Sequence, residues 1–132
     1  ATKEFGINVV SEDFAEQMNN TAIEYQYGVD EFEAAGLTKA ASTSVKPPRV
    51  KESRVHLECE LHELLHFGNE PGAGSLVIGK VKVVQVNDDL YENGRIDTEK
   101  LNPIGRMAGQ NYTKAIAEMF TLERKKSPEG LK

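Results

Sequence analysis

The sequence has one cysteine, no tryptophan and no long apolar run. Because Cys59 has no partner in the chain, no internal disulfide can form, and we expect a reducing compartment. No stretch approaches the roughly 18 apolar residues of a membrane-spanning helix, so we expect a soluble, cytoplasmic protein without membrane contact. Lys and Arg number 16 against 21 Asp and Glu, and the net charge of -5 argues against a broad nucleic-acid surface.

What the sequence does contain is the composition of a globular domain. Hydrophobic residues make up 39% and charged residues 28%, which are typical proportions for a folded core and a charged surface. A length of 132 residues predicts one domain or most of one. The chain opens on Ala1 and soon enters the β-rich stretch Phe5–Val10, which is typical of the middle of a fold. We therefore expect further residues upstream.

Three segments predict β-strands. Residues 5–10 indicate a short buried strand, and residues 54–67 and 75–86 predict two long strands joined by a Gly-rich turn as an antiparallel hairpin. Gly79 inside the last strand indicates a bulge or a close backbone approach. In the middle strand, alternation places one set of side chains in the core, namely Val55, Leu57, Cys59 and Leu61. It places the other set towards solvent, namely His56, Glu58, Glu60 and His62.

Short helices are predicted by their capping residues. Ser11 is a candidate N-cap for a helix that ends near Asn20, Asp30 precedes a helix over 31–35, and Asp97 precedes one turn that reaches Leu101. Gly36 is expected to end the second of these helices.

The remaining segments predict loops and turns. Residues 39–52, with Pro47-Pro48, indicate an extended connector, and Asn93-Gly94 indicates a tight turn. Residues 113–124 fit either a strand or a helix. Residues 125–132 form a polar tail that we expect to fray, outside a domain that spans residues 1–124.

The histidine and cysteine spacing resembles that of a zinc site, with His56, Cys59, His62 and His66 close together. Strand alternation places Cys59 opposite His56 and His62, so one ion could not collect these ligands, and we expect no metal. A buried Cys59 would also be a poor nucleophile, because burial raises the pKa of a thiol. The loop 72–75 lacks the lysine of a phosphate-binding P-loop and leads into a strand, which favours a hairpin loop. No catalytic side chain is therefore predicted.

The segment Gly105–Tyr112 is a candidate ligand site. Two glycines, Gly105 and Gly109, flank Arg106 and precede Tyr112, so the backbone can turn and bring a guanidinium and a phenol together. This pair suits an anionic or planar ligand. The alternative is that Arg106 pairs with an acidic neighbour and Tyr112 fills the edge of the core.

The order of several segments resembles the flavin reductase-like family of FMN-binding split barrels, and most closely its flavoredoxin-type branch. The resemblance runs from Glu4 to about Arg124. The segments that carry it are Glu4–Val10, Val29–Leu37, Leu57–Cys59, Gly74–Val81 and Asn102–Arg106, followed by Tyr112. The resemblance implies a mainly β fold with small helices, a Greek-key split β-barrel, incomplete here at its N-terminal side.

The resemblance also implies a homodimer that binds FMN noncovalently near the subunit interface. Such proteins pass a hydride from NADH or NADPH to the flavin, or transfer electrons between redox protein partners, and the flavin carries the chemistry. By this resemblance Asn8 borders the flavin ring, and Asn20 and Thr21 lie near the phosphate or ribityl chain. Arg106 and Tyr112 face or support the nicotinamide side. Glu31 stands where many relatives have lysine, which removes a flavin contact expected there.

Family members also carry, before the position of Ala1, strands whose polar residues hold the FMN phosphate. We therefore expect the 132 residues to be the C-terminal portion of a domain. Three functions stay open at this point: an NAD(P)H-dependent flavin oxidoreductase, a flavin-binding electron carrier without nicotinamide turnover, and a cofactor-free dimerisation fragment.

Overall fold

The computed structural model describes residues 3–122, and the predicted tail 125–132 lies outside them. The chain is mainly β, as the sequence predicts. The strands are β1 Glu4–Asn8, β2 Lys39–Ala40, β3 Arg49–Val50, β4 Val55–His66, β5 Ser75–Val86, β6 Tyr91–Glu92, β7 Arg95–Ile96, β8 Ile104–Arg106 and β9 Tyr112–Lys114. The helices are α1 Ala15–Asn20, α2 Glu31–Ala35 and α3 Thr98–Leu101. Within the described residues, no helix is long and apolar enough to cross a membrane.

The main sheet has the order β1-β4-β5 and is antiparallel throughout. The predicted hairpin of β4 and β5 is confirmed, and two register shifts interrupt its ladder. At one of them, Leu61 pairs with Gly79 and Glu63 with Ile78, so His62 is the extra residue of a bulge. Gly79 lies beside this bulge, and a Cβ at its position would collide with the Phe5 ring. The close approach predicted at Gly79 is therefore confirmed, while the extra residue of the bulge lies on the opposite strand.

Residues paired across the sheet share a face, so the register defines two faces. The apolar face contains the rows Ile7, Leu57, Val84 and Phe5, Cys59, Val81. The polar face contains the rows Asn8, His56, Gln85 and Gly6, Glu58, Val83.

The polar face is covered, which corrects the sequence prediction for two residues. His56 and Glu58 were expected to face solvent, yet they are only 2% and 1% exposed. The reason is that residues 41–50, called the connecting segment below, lie over this face and donate hydrogen bonds to it. Glu60 and His62 are exposed, as expected.

The helix boundaries agree with their predicted caps. Asp30 Oδ1 accepts a hydrogen bond from Phe32 N at 3.0 Å, and Gly36 ends α2 in the left-handed conformation at φ 71°. Asp97 Oδ1 accepts from Lys100 N at 2.9 Å at the start of α3. Ser11 begins a 3-10 turn that leads into α1, but its side chain makes no capping hydrogen bond.

The predicted connector over 39–52 contains the short pair β2 and β3 at its ends, where Lys39 lies opposite Val50. The Asn93-Gly94 turn is confirmed, since both residues have positive φ, 51° and 78°, between β6 and β7. For the ambiguous segment 113–124, the structure shows strand β9 as far as Lys114 and no regular helix or strand from there to residue 122.

A small core places the C-terminal hairpin beside the sheet. Val55, Leu90 and Leu101 are buried together, and Val9 and Val86 pack against them. After α3 the chain returns to the end of β1, where Ile104 N donates to Val10 O at 3.0 Å and Ser11 bridges to Pro103. The hairpin of β8 and β9 therefore lies next to the start of α1.

Candidate functional site

The first cavity lies between α1 and the hairpin of β8 and β9. Its volume is about 640 Å³, within the range of small-molecule sites. Arg106 and Tyr112 lie opposite each other in the β8–β9 register and both line this cavity. The residues between the two strands turn back through Gly109, which has φ 65° and accepts a hydrogen bond from Arg106 Nη2 at 3.4 Å. The predicted pairing of these two side chains is thus present.

Among residues 3–122, no carboxylate forms an ion pair with the Arg106 guanidinium in the first cavity. Lys114 Nζ instead contacts Glu12 Oε1 at 2.5 Å, and Asn102 Nδ2 donates to Glu12 Oε2 at 3.0 Å. The hydrogen bonds from Lys114 and Asn102 lower the pKa of Glu12. Tyr112 is 38% exposed, so part of its ring is accessible from this cavity.

The second cavity lies between β1, α2 and the connecting segment, and its volume is about 330 Å³. Asn8 and Thr21, two of the predicted flavin-binding residues, both line it. Much of the remaining lining is apolar, namely Phe5, Phe32, Leu37, Pro47, Pro48 and Val50. The charged lining residues are Glu4 and Glu31, both acidic. This combination favours a flat, largely uncharged ligand.

The polar groups of the second cavity are partly engaged already. Asn8 Oδ1 accepts from Val50 N at 2.9 Å, which leaves the amide Nδ2 as a donor. Thr21 Oγ1 donates to Met18 O at 2.7 Å, which leaves its lone pairs as acceptors. Asn20 is exposed and lines neither cavity, and its backbone carbonyl accepts from the Tyr25 hydroxyl at 3.2 Å. The predicted residues are therefore divided between two cavities, with Asn20 outside both.

Sequence reasoning missed the part that the connecting segment plays in the second cavity. Val50 is held at both its backbone groups, because His56 Nε2 donates to Val50 O at 2.8 Å while Asn8 accepts from Val50 N. A carbonyl only accepts, so His56 carries its proton on Nε2. Burial lowers the pKa of His56 and keeps the ring neutral. The Pro47-Pro48 pair was a signal for an extended segment, but nothing local indicated which face that segment covers.

No metal ion is expected at His56, Cys59, His62 and His66, the residues whose spacing resembles a zinc site. Residues 3–122 contain no group of three or more His, Cys, Asp or Glu arranged to hold an ion. Cys59 is buried, and burial raises the pKa of its thiol.

Comparison with known proteins identifies the family. The family model of the flavin reductase like domain matches residues 1–102. This range includes the residues that line the second cavity but not Arg106 or Tyr112. Protein BH2278 of Halalkalibacterium halodurans is 40% identical over 123 residues, covering 92% of this chain and 58% of BH2278. The chain thus spans about three-fifths of the length of this relative.

Solved structures show the same fold. Nitrilotriacetate monooxygenase component B from Bacillus cereus matches with a TM-score of 0.85 and 36% identity, covering 92% of this chain and 60% of that one. Flavoredoxin of Desulfovibrio vulgaris shares the fold with a TM-score of 0.73 at 20% identity, covering 98% and 66%. A flavin reductase with a split barrel domain from Shewanella frigidimarina matches with a TM-score of 0.81 at 28% identity, covering 94% and 62%, so the split-barrel fold that the resemblance implied is confirmed. The chain belongs to the flavin reductase-like domain family.

Proposed function

We propose that this chain forms part of an FMN-binding oxidoreductase that uses NADH or NADPH, or passes electrons as a flavoredoxin-like carrier. The observation that carries the proposal is the family match over residues 1–102, because that stretch builds the second cavity around Asn8 and Thr21.

The second cavity fits the flavin ring and does not fit the phosphate. Phe5, Phe32 and Pro47 offer apolar surface, and the free Asn8 amide and Thr21 lone pairs suit the polar edge of a ring or a ribityl chain. Among residues 3–122, no Lys or Arg lines this cavity, whereas Glu4 and Glu31 would repel a phosphate. A bound flavin supplies reversible two-electron transfer. The residues here would hold its ring and shield one face from water.

The first cavity is the proposed site for the anionic part of the nicotinamide dinucleotide. Arg106 presents a fixed positive charge and planar donors, which suit the phosphates of a dinucleotide. Tyr112, directly across the hairpin, offers a ring face for stacking and a hydroxyl for hydrogen bonding. Lys114 and Glu12 neutralise each other at the cavity wall, so Arg106 is, among the described lining residues, the cation left to attract an anionic co-substrate.

A spectroscopic titration tests this function. We expect the purified chain to bind FMN, seen as quenched flavin fluorescence, and NADH or NADPH to bleach the visible flavin band without oxygen. Arg106→Ala should slow bleaching at least about tenfold with little loss of FMN affinity, while Arg95→Ala, another exposed arginine in a hairpin, should change neither. Equal loss of both properties would mean that Arg106 only supports the fold.

The same titration separates the alternatives. Bound FMN that nicotinamides do not bleach would indicate an electron carrier that exchanges electrons with a redox protein partner. A chain that is colourless once excess FMN has been added and the free FMN removed would indicate the cofactor-free dimerisation fragment.

A homodimer is also proposed, supported by the distal part of the main hairpin. Residues 63–78, called the arm, extend beyond the pairing with β1 and carry apolar side chains on both faces, including Leu64 and Phe67, the latter 69% exposed. Such a surface is typical of an interface. Light scattering should give a dimer mass, and Leu64→Lys should give a monomer while Ile23→Lys, exposed elsewhere, should not. A wild-type monomer would contradict the proposal.

A cytoplasmic location is proposed as well, because the single, buried Cys59 suits a reducing compartment. Cell fractionation with antibody detection tests it, and recovery with the periplasmic or extracellular fraction would contradict it.

A further inference from the structure

One buried carboxylate holds the first half of the connecting segment against the sheet. Glu58 Oε1 accepts from Thr43 N at 2.8 Å, and Glu58 Oε2 accepts from Ser44 N at 2.6 Å and from the Ser44 hydroxyl at 3.0 Å. Gln85 Nε2 also donates to Glu58 and, at 2.9 Å, to Thr43 Oγ1. Two consecutive backbone N–H groups therefore depend on a single side chain from the middle strand.

This attachment sits close to the wall of the second cavity. Pro47 and Pro48 line that cavity, and they follow Ser44 by three and four residues along the chain. Val45 is buried, and the Ser42 hydroxyl donates to Pro47 O at 2.6 Å, so the segment is folded back on itself between Glu58 and the cavity. A shift of Thr43 and Ser44 would therefore move Pro47 and Pro48 as well.

The carboxylate is well suited to this task because its burial is fully compensated. Glu58 is 1% exposed, and both its oxygens are engaged by donors from the segment and from β5. A buried anion is tolerated when hydrogen bonds replace its hydration. A neutral amide at this position would present an NH₂ group to one of the N–H donors, so one contact would become repulsive.

We propose that Glu58 is a positioning residue that holds the connecting segment in the conformation that shapes the second cavity, and so sets the affinity of that cavity for a flavin ring. Glu58 does not line the cavity and acts through Pro47 and Pro48, since Val50 is held separately by Asn8 and His56. This inference rests on the proposed function of the second cavity as the ring site.

The test compares three variants of the full chain. Glu58→Gln keeps the size of the side chain, and Ser44→Ala removes the hydroxyl contact alone. Glu60→Gln is the matched control, since it lies two residues along the same strand, is exposed and contacts Lys82 at 3.2 Å instead of the segment. Backbone amide exchange reports on residues 41–50, and titration with lumiflavin, the ring without a phosphate, reports on the cavity.

For Glu58→Gln we expect exchange at Thr43 and Ser44 to accelerate at least about tenfold, with exchange in β4 and β5 near wild type. Lumiflavin affinity should fall by about tenfold or more. Ser44→Ala should give smaller changes in the same direction, and Glu60→Gln none. Unchanged exchange at 43–50, or unchanged affinity in a variant whose segment has loosened, would overturn the proposal.

The two readouts separate this inference from the proposed function. If the wild-type chain binds neither lumiflavin nor FMN, the ring site is wrong, and the claim that Glu58 sets its affinity falls with it. If the wild-type chain binds lumiflavin and Glu58→Gln binds it equally well, the ring site stands and the positioning role is overturned. If Glu58→Gln unfolds, Ser44→Ala takes its place. The proposal then requires that this variant both exchanges its amides faster at residues 43–50 and binds lumiflavin more weakly, and a change in only one of the two would overturn it.

Discussion

The two faces of the main sheet are covered to different extents, and not simply according to polarity. The polar face, with His56 and Glu58, is buried beneath the connecting segment, whereas Ile7 and Val84 on the apolar face are 46% and 53% exposed. The polar face is buried without large cost because backbone donors replace water around its acceptors. The comparison shows that burial on this sheet follows the supply of hydrogen-bond partners as well as polarity.

Removing the carboxylate from the polar face should have the largest effect on stability. Glu58→Ala leaves the N–H groups of Thr43 and Ser44 without their acceptor, and we expect a loss of about 3 kcal/mol in the free energy of unfolding. Glu60→Ala, on the same strand, should cost less than about 1 kcal/mol because its contact with Lys82 is exposed. Urea unfolding of the two variants measures the difference. Equal losses would mean that the buried hydrogen bonds do not distinguish the polar face.

Acid should weaken the polar face in two stages. Burial, reinforced by the Arg49 charge, lowers the pKa of His56, so its contribution to stability is complete above pH 6.5 and decreases as the pH falls below it. Burial raises the pKa of Glu58, but the donors from Thr43, Ser44 and Gln85 outweigh it and lower the pKa to about 2. The Glu58 contribution is thus complete above pH 4.5 and lost as the pH falls towards 2, by about 3 kcal/mol at most.

Denaturant unfolding over a pH series measures these stages, with Glu58→Gln as the control. The stability gap between wild type and Glu58→Gln should be constant near neutral pH and narrow below pH 4.5. A gap that stays constant down to about pH 3 would show that the carboxylate has an ordinary pKa in the folded chain.

A substitution on the apolar face should have a smaller effect. Gly79→Ala places a methyl group against the Phe5 ring and within 3.2 Å of Cys59 Cβ, and we expect a loss of about 2 kcal/mol. Gly6→Ala in β1 is the matched control, because nothing lies within 4 Å of a Cβ there. Thermal unfolding compares them. If Gly6→Ala destabilises the chain as much as Gly79→Ala, the contact between Phe5 and Gly79 is not what requires glycine.

Local signals predicted most of the elements. Asp30, Gly36 and Asp97 identified helix ends because capping depends on side chains within a few residues of each other. The alternation in β4 correctly separated two faces, but it could not show that Glu58 is buried, since the donors come from residues 14 and 15 positions away along the chain.

The sequence predicted some residues of the candidate site and missed others. Arg106 and Tyr112 were brought together by glycines that lie between or beside them, a local effect that the sequence contains. The resemblance supplied Asn8 and Thr21, which do meet at one cavity, and Asn20, which lines neither. The walls formed by Phe5, Phe32 and Pro47 come from three separate segments, so no spacing along the chain could indicate them.

The sequence by itself determined the mainly β class, the long hairpin, the caps and the family, because each of these depends on short-range patterns or on the order of motifs. Only the tertiary structure decided which face of the sheet the connecting segment covers. Hydrogen bonds such as those from Thr43 and Ser44 to Glu58 join residues distant in the chain, and their formation depends on how the whole segment packs.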